Sequence, residues 1–145
     1  MKQFAIMGLC LLTLTMMGCK DDDDDDMVPE IEVTSILSGS NEVPTNTSPA
    51  TGTVTGTYNE DTNELDLVIT YQQMTPTAWH IHEAPKGSNG PVILNLGTTF
   101  TSPFTYSTTL TEEQEDDLLA TMYYLNIHSA KFPNGEIRGQ LEIVR

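Results

Sequence analysis

Cysteine is almost absent from this 145-residue chain, and the positions of its two cysteines exclude disulfide chemistry from most of it. Both Cys10 and Cys19 fall within the first nineteen residues, so a domain built from the remainder contains no disulfide bond. Such a domain also offers no thiol for nucleophilic catalysis. Its stability must therefore come from the burial of apolar side chains.

Basic residues are also scarce, with 6 lysines and arginines against 21 aspartates and glutamates, for a formal net charge of −15 at pH 7. Proteins that bind nucleic acid neutralise phosphates with a basic surface, so we expect no nucleic-acid partner. The phosphate-binding loop, the nucleophile elbow and the zinc-protease helix motif are missing as well. The sequence therefore favours a protein that is not an enzyme.

The N-terminus carries a short apolar run from Phe4 to Met17. A membrane-spanning helix needs about 20 apolar residues, whereas the apolar part of a secretory signal takes about 7–15. The run ends in Met16-Met17-Gly18-Cys19, which resembles the lipobox of bacterial lipoproteins, with a small residue before the cysteine. We therefore predict a signal peptide over residues 1–18 and a lipidated Cys19, held at a membrane by two acyl chains.

Residues 19–30 form the predicted link between this anchor and the folded domain. Asp21 to Asp26 are adjacent carboxylates that repel one another and bury nothing, so we predict an extended acidic tether. The residues Cys-Lys-Asp-Asp, beginning at Cys19, also resemble the export signal of Bacteroidota-type outer-membrane lipoproteins. The resemblance predicts an outer-membrane lipoprotein exposed on the cell surface.

Residues 31–145 alternate apolar and polar side chains in short runs separated by turn residues, which is typical of β-strands. Thr111 and Gln114 match a capping box, which predicts one short helix. We predict a single all-β domain, an antiparallel Greek-key sandwich or barrel of about eight strands. The predicted strands cover residues 31–38, 52–58, 64–72, 78–83, 92–96, 104–110, 123–128 and 136–144.

The three histidines of the chain lie on the non-core faces of two predicted strands. Side chains two apart in a strand share a face, so His80 and His82 point away from the apolar face of Trp79 and Ile81. His128 alternates in the same way with the apolar residues of its own strand. Two imidazoles from one strand and a third from a neighbouring strand suit copper or zinc. The pattern therefore predicts a three-histidine metal site.

The same pattern also fits structural histidines in a polar network with Asn126, Glu136 and Arg138. In a metal site these three residues would instead form hydrogen bonds with the ring nitrogens of the histidines that do not bind the ion. Copper–zinc superoxide dismutases hold copper in a related way, through a His-x-His pair on a β-barrel with an arginine nearby. This chain has no fourth histidine for such a centre. Loops rich in proline, asparagine and glycine follow His82 and His128, and we expect them to fold over the rings.

Five segments in order resemble the CHRD domain, first named in the animal protein chordin and also found singly in exported bacterial proteins. The resemblance spans about residues 32–144 and implies an all-β fold, while the bacterial role of the family is open. We expect a non-enzymatic, membrane-anchored binding or structural module with a protein partner. The alternative is a copper- or zinc-binding or redox protein. The matching segments are residues 37–44, 52–56, 78–82, 124–128 and 135–141.

Overall fold

The computed structural model describes residues 30–144, and the predicted signal peptide, Cys19 and acidic tether lie outside them. No helix in this part of the chain is both long enough and apolar enough to cross a membrane. In chain order the elements are β1 (Ile31–Ser38), a 3₁₀ turn (Gly39–Asn41), β2 (Thr51–Asn59), β3 (Glu64–Gln72), β4 (Pro76–Glu83), β5 (Val92–Asn95), β6 (Phe104–Thr109), α1 (Glu112–Leu119), β7 (Tyr123–Ser129), β8 (Ile137–Gln140) and β9 (Glu142–Val144).

The strands form one antiparallel sheet in the order β5-β4-β7-β8-β1-β2-β3-β6, and β9 pairs with β1. The sheet curls over on itself. Trp79 lies on β4, the second strand of this order, and Phe104 lies on β6, the last. The centroids of their rings are 4.5 Å apart. The predicted antiparallel all-β class with one short helix is confirmed, and the sheet takes the form of a curled half-barrel.

The hairpin turn and the helix start that the sequence predicts are both present in the fold. The hairpin of β2 and β3 ends with Asn59 opposite Glu64, as the turn residues between the two runs indicate. The helix α1 begins with a reciprocal capping box. The Thr111 hydroxyl accepts the Gln114 N–H at 3.3 Å, and the Gln114 side chain accepts the Thr111 N–H at 3.0 Å. Two donors at the helix N-terminus are thereby satisfied within one turn.

The apolar core fills the interior of the curl. Trp79 and Ile81 are both fully buried, so the predicted core face of β4 is confirmed. Tyr71 and Phe100 pack edge-on against the Trp79 ring, with centroids at 6.1 and 5.4 Å. The remaining fully buried apolar side chains come from most other elements of the sheet and from α1: Val33, Leu37, Tyr58, Leu65, Leu67, Ile69, Leu118, Tyr123, Leu125, Ile127, Ile137 and Leu141.

The prediction of one continuous strand over residues 136–144 is wrong. The strand is interrupted at Leu141, whose backbone N–H donates to the carbonyl of Tyr123 at 2.8 Å. Before this point β8 pairs with β7 on one side and with β1 on the other, where Arg138 lies opposite Ser38. After it β9 pairs with β1, so that Ile143 lies opposite Val33. Pairing with β7 therefore ends at Gln140, whereas β1 is the partner of both β8 and β9.

The side chains of β8 and of Glu136 that point away from the core are nevertheless buried. Glu136, Arg138 and Gln140 are only 6%, 3% and 8% exposed. The 3₁₀ turn, the residues after it and the loop between β4 and β5 cover them. Arg138, for example, donates from Nε to the carbonyl of Asn41 at 2.7 Å and from Nη1 to that of Ser88 at 3.1 Å. The outer face of the sheet therefore carries a second, polar buried layer.

Candidate metal centre

The three histidines lie on two adjacent strands, on the face of the sheet opposite the core. β4 and β7 pair antiparallel, with His80 opposite Asn126 and His128 opposite Ala78. His80 and His82 alternate with two fully buried residues of β4, so both point away from the core. His128 is a diagonal neighbour of His80 across the strand pair, within reach of an imidazole ring. The pairing therefore gathers three half-buried imidazoles at one place.

The ring nitrogens of these histidines converge. Each residue offers one nitrogen, and the three atoms lie within 4.8 Å of one another. The distance from His80 Nδ1 to His128 Nε2 is 3.3 Å. Nitrogens that bind one ion at about 2.0–2.1 Å lie roughly 3–3.5 Å apart, so this pair already has the required spacing. The His82 ring centroid lies 5.9 Å from that of His80 and 6.4 Å from that of His128, and its nitrogen would have to move closer to the other two to bind the same ion.

Two backbone carbonyls orient the rings. His82 Nδ1 lies 3.0 Å from the carbonyl oxygen of Gly90, and His128 Nδ1 lies 3.0 Å from that of Pro133. Because a carbonyl oxygen only accepts hydrogen bonds, both Nδ1 atoms carry the proton and both Nε2 atoms are unprotonated. In the absence of an ion, His128 Nε2 is in hydrogen-bond contact with His80 Nδ1. His82 Nε2 is buried and has no hydrogen-bond partner among the described residues. A bound cation at this point would satisfy it.

Glycines let the two loops come this close to the rings. A Cβ on Gly90 would collide with the carbonyl oxygen of Glu83, so only glycine lets the loop return against the end of β4. Gly135 has a φ of +130°, which residues with a side chain rarely adopt. Its N–H donates to the carbonyl of Phe132 at 3.1 Å and closes the turn that presents the Pro133 carbonyl. The loops after both histidines contact the rings as the sequence predicts.

The surroundings of the cluster favour neutral imidazoles, which are the form that binds metal. Burial lowers the pKa of His80, and the neighbouring His128 and His82 lower it further. Burial also lowers the pKa of His128, while its hydrogen bond to the Pro133 carbonyl acts in the opposite direction. Two of the three rings therefore bind a proton less readily than an exposed histidine does.

The side chains predicted to support the imidazoles have other partners. Asn126 donates from Nδ2 to Glu42 Oε2 at 3.4 Å. Glu136 Oε1 accepts the Ser48 hydroxyl at 2.6 Å. Arg138 donates its hydrogen bonds to main-chain carbonyls of the covering segments, as described above. For His82 and His128 the second ring nitrogen is instead held by a main-chain carbonyl, which no side-chain pattern in the sequence reveals.

Arg138 reaches the histidines only through an aromatic ring. Its guanidinium carbon lies 4.7 Å from the centroid of the Tyr124 ring. That ring stacks on the imidazole of His82, with centroids 4.9 Å apart and planes 9° from parallel. The Tyr124 hydroxyl also accepts the N–H of Gly90 at 3.2 Å. A stack of guanidinium, phenol and imidazole therefore ties the histidine site to the polar layer, and Arg138 does not face the point where the ring nitrogens meet.

Glu42 belongs to the same polar layer, although no pattern in the sequence around it predicts a role. Its side chain is 4% exposed and lies 3.9 Å from Arg138, measured from Oε2 to Nε. Burial raises the pKa of Glu42 to about 7, even though Arg138 and the hydrogen bond from Asn126 act to lower it. Asn126 lies 84 residues away in the chain, so no local pattern marks this glutamate as buried.

We expect Glu42 to make the stability of the domain depend on pH. Its folded pKa lies above the unfolded value of 4.5, so its stabilising contribution is complete below about pH 4.5 and is lost as the pH rises through about 7. Glu42→Gln removes this titration. The variant should match the wild type near pH 4 and exceed it by roughly 2–4 kcal/mol near pH 8, measured by urea unfolding. A difference between the two proteins that does not change with pH would contradict the assignment.

The fold and the site together define an antiparallel β domain with a three-histidine cluster beside a buried polar layer. The family model for the CHRD domain matches residues 33–141. The chain therefore belongs to the CHRD family, and the resemblance seen in the sequence is confirmed. Membership supports a binding or structural module in general. A search of the curated proteins finds no match.

Proposed function

We propose that this CHRD domain is a non-enzymatic metal-binding module that holds one copper or zinc ion between His80, His82 and His128. The convergence of three ring nitrogens within 4.8 Å is the observation that carries the proposal. The free lone pair of the buried His82 Nε2 supports it, because an unpaired buried polar atom is costly unless a partner occupies the site.

The donor set favours copper and zinc over harder cations. Imidazole nitrogen is a borderline ligand that suits zinc and copper, whereas calcium and magnesium require oxygen. Three protein ligands leave further coordination positions for water or a small ligand. The Gly90 and Pro133 carbonyls hold two of the imidazoles in the tautomer that binds through Nε2. These features support a binding role. The orientation of Arg138 gives no support to dismutase-like chemistry, and we do not propose it.

Equilibrium titration of the purified protein with zinc and with copper tests this function. We expect saturation at one ion per chain in the histidine site. Because the six aspartates of Asp21 to Asp26 also attract cations, the control is a variant with residues 20–26 replaced by glycine and serine. That variant should keep the tight site and lose only weak binding. Loss of all tight binding with the aspartates would show that the histidines do not form the site.

We also propose that the module is held at the outer membrane through lipidated Cys19. The short apolar run, the lipobox-like residues and the Cys-Lys-Asp-Asp sequence support this location. A diacylated cysteine anchors a protein stably because two acyl chains bind a bilayer where one is marginal. The acidic residues that follow would then separate the domain from the membrane surface.

Cys19→Ala should abolish both fatty-acid labelling and retention in the membrane fraction. The matched control is Cys10→Ala, which changes the other cysteine but leaves the lipobox-like sequence intact. We expect the control protein to be labelled and retained like the wild type. Metabolic labelling with a fatty-acid probe, followed by fractionation, measures both properties. A wild-type protein that is unlabelled and recovered in the soluble fraction would refute the anchor.

A further inference from the structure

A groove of about 750 Å³ crosses the outer face of the sheet. This volume falls within the range of small-molecule sites, about 300–1,000 Å³. It is lined by residues of β1 and β2, by the segment 40–45, by Lys86 and Gly87, and by residues of β7, β8 and β9 that include Arg138 and Glu142. The three histidines do not line it, although Tyr124 does and also stacks on His82. The groove is therefore separate from the proposed metal site.

Threonine hydroxyls and the exposed Ile36 line the part of the groove formed by β1 and β2, and Val43 and Tyr124 add apolar surface elsewhere in it. Strand pairing places Thr34 opposite Thr55 and Ile36 opposite Thr53. Thr53 also lies opposite Thr70, which is outside the groove, and their hydroxyls form a hydrogen bond of 2.7 Å. Neighbouring strands are about 4.7–4.9 Å apart, so the hydroxyls form closely spaced rows. Ile36 is 75% exposed in their midst, although an isoleucine in a sheet is usually buried.

Each cation that lines the groove has a carboxylate beside it. Lys86 donates to Glu142 Oε1 at 2.9 Å. Arg138 is 3% exposed, lies 3.9 Å from Glu42 and donates from Nε and Nη1 to the carbonyl oxygens of Asn41 and Ser88, while its buried Nη2 has no partner among the described residues. The chain as a whole has a net charge of −15, which repels anions further. An acidic ligand would therefore find little to compensate its charge in this groove.

We propose that the groove binds a neutral oligosaccharide, a ligand rich in hydroxyl groups and free of carboxylate, sulfate or phosphate. A threonine hydroxyl both donates and accepts hydrogen bonds, so the rows at Thr34, Thr53 and Thr55 complement sugar hydroxyls. Ile36 supplies apolar surface for the C–H face of a sugar ring. The proposal does not depend on a bound metal ion, because the histidines lie outside the groove.

Calorimetric titration with sugars tests the proposal. The full chain, in a detergent without a sugar headgroup and with EDTA present, is titrated with cellohexaose, maltohexaose, xylohexaose, mannohexaose and an acidic oligogalacturonate of equal length. We expect one neutral hexaose to bind at least about tenfold more tightly than the acidic sugar. Thr53→Val combined with Thr55→Val keeps the side-chain shape, removes two hydroxyls and should weaken binding about tenfold or more.

Thr105→Val is the matched control, since Thr105 is an exposed threonine of β6 that does not line the groove. It should leave the dissociation constant unchanged, and circular dichroism should show native spectra for all variants. No binding by any neutral hexaose, equal binding of the acidic sugar, or full affinity in the double valine variant would each overturn the proposal. Because EDTA is present throughout, failure here is independent of whether the histidines bind metal.

Discussion

His82→Ala should remove the rise in thermal stability that copper or zinc produces in the wild-type protein. A ligand that binds only the folded state stabilises it by mass action. At an ion concentration about 100 times the dissociation constant, the wild type should gain about 2.7 kcal/mol. Loss of a direct ligand should weaken binding by at least about 100-fold, since loss of a supporting residue alone costs 10–100-fold. The variant should then gain only about 0.4 kcal/mol at the same concentration.

The metal-dependent gain, rather than the stability without metal, distinguishes a metal site from structural histidines. His82→Ala also removes the hydrogen bond to the Gly90 carbonyl, so the metal-free variant is expected to be somewhat less stable in either case. The control is Glu83→Ala, which removes the carboxylate next in sequence on the opposite face of β4. This variant should keep the full metal-dependent gain. An equal gain in His82→Ala and wild type would leave the histidines as structural residues.

Trp79→Ala should destabilise the domain by about 3–5 kcal/mol, as truncations of large buried aromatic side chains do. Trp79 is fully buried and contacts three aromatic rings, those of Tyr71, Phe100 and Phe104. These contacts join β4 to β3, to β6 and to the segment before β6, so the truncation removes packing between distant strands of the sheet. Trp79 Nε1 has no hydrogen-bond partner among the described residues, so the cost is one of packing and cavity formation.

Guanidinium chloride unfolding measures this loss, with Val68→Ala as the control. Val68 lies on the outer face of β3 and is 39% exposed, so its truncation should cost less than about 0.5 kcal/mol. A cost below about 1 kcal/mol for Trp79→Ala would contradict the closed packing of the two ends of the sheet. The slope of unfolding against denaturant should stay unchanged if only stability is altered.

The strands and their faces were predictable from the sequence because alternation is a local property. The full burial of Trp79 and Ile81 and the capping box at Thr111 follow from residues within a few positions of each other. The resemblance to the CHRD family added the fold class. The convergence of His80, His82 and His128 required one more step, namely that β4 and β7 are neighbours, which the sequence pattern suggested without establishing.

The polar layer on the outer face could not be predicted in the same way. Alternation shows which side chains leave the core, but it does not show whether a distant loop covers them. Arg138 is buried by the segments around Asn41 and Ser88, which lie 97 and 50 residues away in the chain. The carbonyls that orient His82 and His128 belong to the main chain and depend on loop conformation.

X-ray absorption spectroscopy of the protein loaded with one equivalent of zinc or copper tests the central claim most directly. The account predicts three imidazole nitrogens at about 2.0–2.1 Å from the ion, completed by a light atom from solvent. The spectrum of His82→Ala should show fewer imidazole nitrogens around the ion. A spectrum with oxygen ligands alone, or one that is identical in the wild type and His82→Ala, would contradict the three-histidine site.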